Sequence, residues 1–320
     1  MTDGERLARA LELAERGRGT TAPNPVVGAV LVRDGEVVGE GWHERPGGPH
    51  AEIAALQAAG DRARGATAYV TLEPCAHQGR TPPCADALIE AGVARLVAAV
   101  GDPNPLTNGI GFERLRAAGI QVDLPGGEAE WLARVQNVDY RVWISQRRPF
   151  VVYKAAVTLD GRVTVPGSRW VTGEESRRLV HELRATTDAV AVGMGTVRAD
   201  NPELTARDVA ATRQPRRLAF GRGPLPEGSE LELLSGPLDE ELVRLADEGV
   251  RSLLLEGGPT LATAFVKAGL VDKLMLFVAP TLAGAGPSYL GELPEPVRLL
   301  HGSGLAVGED WLATAYLREP

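Results

Sequence analysis

Apolar positions along this 320-residue chain switch repeatedly between a helical period and short unbroken runs. Over residues 3–18, Leu7, Ala10, Leu11 and Ala14 recur at helical spacing among charges, which predicts an amphipathic helix. Val26–Val32 is almost wholly apolar and predicts a buried strand. Arg33-Asp34-Gly35-Glu36 predicts a hairpin turn, with residues 37–41 as the returning partner. A helix opened by His50 is expected over 51–59, then a strand over 66–72 that runs into Glu73-Pro74-Cys75. Cys84 opens a helix over 85–91, followed by a strand over 96–100, a helix over 113–118 and a strand over 120–122. The polar, basic stretch Ile144–Pro149 interrupts this series, so we place a boundary there, dividing the chain into domains 1–145 and 146–320. The alternation then restarts with an apolar strand over 150–157. Helices are expected over 174–184, 240–247 and 260–268, and strands over 189–192, 252–255 and 274–278. Between Pro215 and Pro237 the chain is rich in Gly and Pro and reads as a loop with one short edge strand. Strands alternating with helices across short connections indicate a layered α/β fold in each half.

The length suits two cores of ordinary size. No run of 18 apolar residues occurs, so no membrane span is expected. The N-terminus has no basic segment leading into an apolar one, and the expected location is the cytoplasm. A net charge of −8 and a pI near 5.3 argue against nucleic-acid partners, while leaving room for a small phosphorylated substrate held by a local basic cluster.

The two cysteines, Cys75 and Cys84, sit in one run, which is not the layout of a secreted disulfide framework. With His50 upstream they offer one nitrogen and two sulfur ligands, the parts of a catalytic zinc site whose fourth position is open to water. An H-x-E pair followed by P-C…C is the signature of zinc deaminases. Helix N-termini at His50 and Cys84 favour thiolate over thiol. Zinc would lower the pKa of its water toward neutrality and so generate hydroxide. Glu52 would take the proton and return it to the ring nitrogen and the departing ammonia. The competing reading is a structural zinc site with His77 or His43 as fourth ligand, which leaves Glu52 without a task.

The segment Thr71–Cys84 resembles the deaminase domain of the bifunctional riboflavin-biosynthesis deaminase–reductases, as do Pro23–Gly28, His43–Glu52 and Asp102-Pro103-Asn104-Pro105. The long loop between the cysteines departs from the C-x-x-C of nucleoside and tRNA deaminases, and that family shares the departure. The resemblance implies that Asn24, His43, His77 and Arg80 contact a pyrimidinone or its ribose phosphate; on the residues alone, each reads equally well as an ordinary loop residue. Thr107 stands where the family usually has valine and touches no expected role.

In the second half, Gly193-Met194-Gly195-Thr196-Val197-Arg198 begins like a dinucleotide fingerprint but lacks its last glycine. Glu256-Gly257-Gly258-Pro259-Thr260 lies between a strand and a helix, where backbone can approach a phosphate. Gly284-Ala285-Gly286 is a third such cluster, and each taken singly also fits a tight turn. With Thr158–Arg162, Trp170–Gly173 and Asp200–Arg207 they resemble the reductase domain of the same family, which has a dihydrofolate-reductase-like α/β fold and uses NADPH. The resemblance implies cofactor contacts by Lys154, Trp170, Thr196, Asp200, Gly258, Pro259 and Thr260. It implies substrate contacts by Ser168, Arg184, Leu204, Arg207 and Glu256. Arg184 and Arg207 suit a phosphate, although a helix-borne Arg184 also reads as a solvated surface charge. The family's aspartate after the strand at Arg217–Gly221 is missing here, and the span to Glu256 is short.

The expected architecture is thus a cytidine-deaminase-like layered α/β domain followed by the reductase domain, with Zn2+ and NADPH as cofactors. The expected function is deamination of 2,5-diamino-6-(5-phosphoribosylamino)pyrimidin-4-one and then reduction of its ribosyl to a ribityl chain. The resemblance also suggests a homodimer through the reductase half. The alternatives are a deaminase whose second half has lost reduction, a nucleic-acid-editing deaminase and a non-catalytic zinc module.

Overall fold

A computed structural model describes residues 1–77, 82–211 and 213–320. The chain separates into two compact units, Met1–Gln146 and Arg147–Pro320.

The first unit runs α1 (Asp3–Glu15), β1 (Gly28–Arg33), β2 (Glu36–Trp42), α2 (Ala51–Ala59), β3 (Thr67–Val70), α3 (Cys84–Glu90), β4 (Arg95–Ala98), α4 (Ile110–Ala117), β5 (Gln121–Asp123), α5 (Gly127–Gln136) and α6 (Val138–Gln146). Its five-stranded sheet has the order β2-β1-β3-β4-β5. β1 pairs antiparallel with β2 and β3, while β3, β4 and β5 run parallel. Asp34 and Gly35, with φ of 52° and 84°, turn the β1–β2 hairpin in the left-handed region that such tight turns require. Apolar residues of the sheet pack on one face with Ala51, Ala55, Ala85, Leu88 and Leu115, and on the other with Leu7, Leu11 and Ala133. The start of α2 presses on β2: a Cβ at Gly41 would lie 2.4 Å from the Ala51 carbonyl oxygen, so only glycine admits this approach. That contact fixes where His50 and Glu52 stand. Helices α5 and α6 were not expected, and α6 extends into the polar stretch that marks the boundary in the sequence.

The second unit contains β6 (Phe150–Thr158), α7 (Glu174–Thr186), β7 (Ala189–Gly193), α8 (Met194–Asp200), β8 (Arg216–Phe220), β9 (Glu232–Leu234), α9 (Leu238–Asp247), β10 (Ser252–Leu255), α10 (Pro259–Lys267), β11 (Lys273–Ala279), β12 (Leu300–Val307) and β13 (Asp310–Tyr316). They form one sheet in the order β12-β13-β11-β6-β10-β7-β8-β9, parallel from β11 to β9 with an antiparallel β12–β13 end. The expected loop over 215–237 is corrected here. It supplies two strands, and β8 lies inside the sheet between β7 and β9, with Leu218, Ala219 and Phe220 buried. Five residues enclosed by Gly and Pro are too few to show a period. The β12–β13 hairpin was likewise not expected.

Candidate active sites

In the first unit, His50 is the N-cap of α2, yet its side chain caps nothing and turns to the sulfurs. Cys84 is the first residue of α3 and Cys75 lies in the loop after β3. His50 Nδ1 lies 3.2 Å from Cys84 Sγ and 3.6 Å from Cys75 Sγ, and the Cys84 backbone N–H donates to Cys75 Sγ at 3.3 Å. Among the described residues this trio is the one group of three metal-ligating side chains so gathered, its ligand atoms within 4.8 Å of one another. A tetrahedral ion with Zn–S of about 2.3 Å and Zn–N of about 2.0 Å sets nitrogen and sulfur about 3.5 Å apart, so the trio fits zinc. Its protonation points the same way. The bond to Cys84 holds Cys75 well down, to about 4, while the same bond and burial push Cys84 upward, so the two sulfurs compete for one proton.

Glu52, buried at 4% exposure, follows in the first turn of α2. Burial, reinforced by the Cys75 sulfur, pushes its carboxyl up to about 7. His43 Nδ1 lies 2.9 Å from the Pro49 carbonyl oxygen, which can only accept, so Nδ1 carries the proton and Nε2 is the acceptor. Asn24 Nδ2 therefore donates to His43 Nε2 at 3.0 Å, leaving the Asn24 carbonyl oxygen without a partner among the described residues. Burial lowers the His43 pKa and keeps its ring neutral.

Asn24, His43, His50, Glu52, Cys75 and His77 line one cavity of about 560 Å³, while Cys84 is buried beside it. Arg80 lies outside the described residues. The sequence reading missed Tyr140, Trp143 and Ile144 of α6, which line the same cavity together with Asp102 and Asn104. The Tyr140 hydroxyl donates to Asp102 Oδ1 at 3.1 Å, and the Asn104 N–H to the same oxygen at 2.9 Å. The motif Asp102–Pro105 was the available signal. Thr107 also lines this cavity, although its hydroxyl is fully buried and has no hydrogen-bond partner among the described residues.

In the second unit, a cavity of about 690 Å³ opens at the carboxyl ends of β7 and β10, where ligands of open α/β sheets bind. Lys154, Trp170, Thr196, Asp200, Gly258–Thr260, Arg184, Arg207 and Glu256 all line it. Glu256 directly follows β10. Its Oε1 accepts from Arg184 Nε at 2.6 Å, and its Oε2 from Arg184 Nη2 at 3.0 Å and Lys154 Nζ at 3.3 Å. Burial alone would raise the Glu256 carboxyl, but Lys154 and Arg184 outweigh it and hold it at about 2. Arg184 is thus no solvated surface charge: each of its nitrogens is bonded, Nη1 to the Thr205 carbonyl oxygen at 3.1 Å.

The backbone fits a dinucleotide. No side chain caps α10, whose first turn holds Pro259 and Thr260, and a Cβ at Gly195 would stand in open space at the cavity wall. The third glycine cluster is a turn, because the Gly284 N–H is taken by Asp160 Oδ2 at 2.8 Å. Two expected residues stand off the cavity wall. Ser168 is exposed and donates to the Trp170 carbonyl oxygen at 2.8 Å. Leu204, at φ 55°, buries its side chain with Val192 and Met194, as an apolar chain at a sheet end will.

Residues 149–313 match the RibD C-terminal domain family, and residues 1–100 the cytidine and deoxycytidylate deaminase zinc-binding region. The riboflavin biosynthesis protein RibD of Aquifex aeolicus is 43% identical over 317 residues, covering 89% of this chain and 88% of its own. That of Escherichia coli is 42% identical, with 92% of each chain covered. The structure of Acinetobacter baumannii RibD superposes with a TM-score of 0.84 at 37% identity, covering 98% of each chain. The diaminohydroxyphosphoribosylaminopyrimidine deaminase/5-amino-6-(5-phosphoribosylamino)uracil reductase of Thermotoga maritima superposes with a TM-score of 0.81 at 33% identity, covering 98% of each chain. In agreement with the resemblance seen in the sequence, the chain belongs to the RibD family of riboflavin biosynthesis proteins.

Proposed function

We propose that the two cavities carry consecutive steps of riboflavin biosynthesis, deamination of the diaminopyrimidinone ribosyl phosphate in the first unit and reduction of its sugar in the second. The observation that carries this reading is the His50–Cys75–Cys84 trio with Glu52 buried beside it at a cavity wall. Zinc held by that trio supplies a water acidified toward neutral pH. Glu52 would carry one proton of that water to the ring nitrogen and then the second, from the hydroxyl added to the ring carbon, to the leaving amine, which departs as ammonia while the oxygen stays on the ring carbon as a carbonyl. The Asn24 carbonyl oxygen, fixed by the neutral His43, accepts from an amino group of the ring. His77 contacts the ribose phosphate.

In the second cavity NADPH, held by Lys154, Trp170, Thr196, Asp200 and the Gly258–Thr260 turn, supplies the hydride. Glu256, Arg184 and Arg207 face the sugar phosphate, with Ser168 and Leu204 shaping the segments around Trp170 and Arg207. A carboxylate has about four lone-pair sites. Three on Glu256 are bonded within the protein, which leaves one on Oε1 to accept from a sugar hydroxyl.

We read the protein as a homodimer through this second unit, supported by the edge strand β12 and the exposed Leu305 and Trp311 on the β12–β13 hairpin. We read it as cytoplasmic, where thiol ligands stay reduced; no helix among the described residues is long and apolar enough to cross a membrane. A coupled assay that scores ammonia and NADPH oxidation separately tests the function. Both signals are expected in sequence. Ammonia without NADPH oxidation, given fully deaminated substrate, would leave a deaminase alone.

A further inference from the structure

One buried carboxylate of the first unit has no task in the chemistry described so far. Glu73, at 4% exposure, stands between β3 and the ligand Cys75 and touches the same cavity. Its Oε2 accepts from the backbone N–H groups of Asp102 at 3.3 Å and Gly109 at 3.0 Å. Its Oε1 accepts from those of Gly111 at 3.0 Å and Phe112 at 3.4 Å. A carboxylate offers about four lone-pair sites. The backbone takes all of them, so Glu73 has none for a substrate or a water and does not share the proton work of Glu52.

The donors come from one segment, 29 to 39 positions further along the chain. Gly111 and Phe112 lie in the first turn of α4, whose N–H groups have no partner inside the helix, and Gly109 is its N-cap. No side chain of that N-cap serves them, so Glu73 does so from outside. The segment also sits very close: a Cβ at Gly111 would lie 2.0 Å from the Pro74 carbonyl oxygen, an approach that only glycine admits. Between the two outer clamps the chain carries Asn104, which lines the cavity together with Asp102. Asp102 passes the constraint on. Its N–H is held by Glu73, while its Oδ1 accepts from the Asn104 N–H and from the Tyr140 hydroxyl of α6. One network thus runs from the segment before Cys75 to α6.

We propose that Glu73 is a positioning residue of the deaminase cavity. By clamping residues 102–112 beside Cys75, it sets the distance of Asp102 and Asn104 from the zinc trio and so fixes how tightly the pyrimidine is held. The proposal rests on the deaminating role given above. A plain helix cap would need only the N–H groups of α4. Asp102 lies outside that helix, at the start of the loop that lines the cavity, so the clamp holds the loop as well. A binding group keeps its place only when the residues behind it are themselves fixed.

The test uses the zinc-loaded full chain with Glu73→Gln, Glu73→Asp, Tyr140→Phe and the double variant Glu73→Gln/Tyr140→Phe. Gln fills the space of Glu but sets an NH2 against two of the N–H donors. Ammonia release without NADPH gives KM and kcat for the diaminopyrimidinone ribosyl phosphate and inhibition by its deaminated product. Bound zinc and NADPH oxidation with that product are measured beside it. Glu73→Gln should raise KM about 10- to 100-fold, with product inhibition weakened in parallel, because the displaced loop binds the pyrimidine poorly. The starts of α2 and α3 place Glu52, His50 and Cys84, so kcat, bound zinc and NADPH oxidation should change by less than about threefold. Glu73→Asp keeps both acceptors one methylene shorter. It should recover part of the loss, and it reads the clamp even if Glu73→Gln folds poorly. Tyr140→Phe loosens Asp102 from the other side and should raise KM about 3- to 10-fold. The double variant should raise KM by less than the product of the two effects, since both act through Asp102.

Loss of zinc, or a fall in kcat at unchanged KM, would place Glu73 behind the metal ligand instead and overturn the proposal. Lowered melting with wild-type KM and inhibition in the Glu73 variants would leave a helix cap alone, and overturn it equally. Absence of ammonia release in the wild-type protein would instead sink the deaminating role itself.

Discussion

Glu256→Gln tests how the second cavity is held together. The carboxyl sits at about 2 in the folded unit against an ordinary 4.5, because Lys154 and Arg184 overcome its burial. The folded state therefore prefers the ionised form by about 3 kcal/mol. A depressed carboxylate contributes its full stability above about pH 4.5, and that contribution is lost as pH falls through 2. At pH 7 the substitution removes it entirely and leaves two largely buried cations without a counter-charge, so a loss of about 3–5 kcal/mol is expected. At roughly 2–4 °C per kcal/mol for a unit of this size, its melting transition should fall by about 6–20 °C in calorimetry of the whole chain. The difference between wild type and variant should shrink between pH 4.5 and 2. NADPH oxidation should be lost well before ammonia release on heating. A transition at pH 7 that moves by less than about 2 °C would mean that the Lys154–Glu256–Arg184 cluster gives no net stability, and would refute the electrostatic reasoning.

Three further outcomes are expected. Glu52→Gln should slow ammonia release about 10²- to 10⁴-fold while bound zinc and NADPH oxidation with deaminated substrate stay at wild-type levels; zinc loss would make Glu52 a ligand instead. Treatment with a zinc chelator should abolish ammonia release, spare NADPH oxidation and be reversed by added zinc, and a parallel loss of both activities would contradict separate sites. Thr107→Val replaces a buried hydroxyl that has no partner among the described residues with an isosteric methyl, so the first unit should gain about 1 kcal/mol in thermal or urea unfolding; a loss of similar size would show that the hydroxyl is bonded, for instance to ordered water.

Much of this fold was legible where the hydrophobic pattern is long or the chemistry restrictive. Strand β6 and helix α7, nine and thirteen residues long, were expected over 150–157 and 174–184. His50, Cys75 and Cys84 stand out because few residue types bind zinc, and each is placed by a local feature, a helix start or a strand end. What escaped has physical causes. Helix α6 turns one side to a cavity that its own sequence does not reveal, so Tyr140 and Trp143 look like ordinary amphipathic residues. β8 is a strand because β7 and β9 flank it, not because its five residues announce one.

The two cavities differ in a way that decides which residues a sequence exposes. The first depends on groups drawn to one point by the starts of α2 and α3, with partners 25 and 34 residues apart. The second depends on charge balance between Lys154, Arg184 and Glu256, brought together across 102 and 72 residues by the parallel strands β6 and β10 and by helix α7. A ligand atom must be of a particular kind, so it leaves a motif. A counter-charge needs only its sign and a place, so its partner is fixed by topology and cannot be read from either residue alone. Arg184 illustrates this, since its type suggested a phosphate while its surroundings give it a carboxylate.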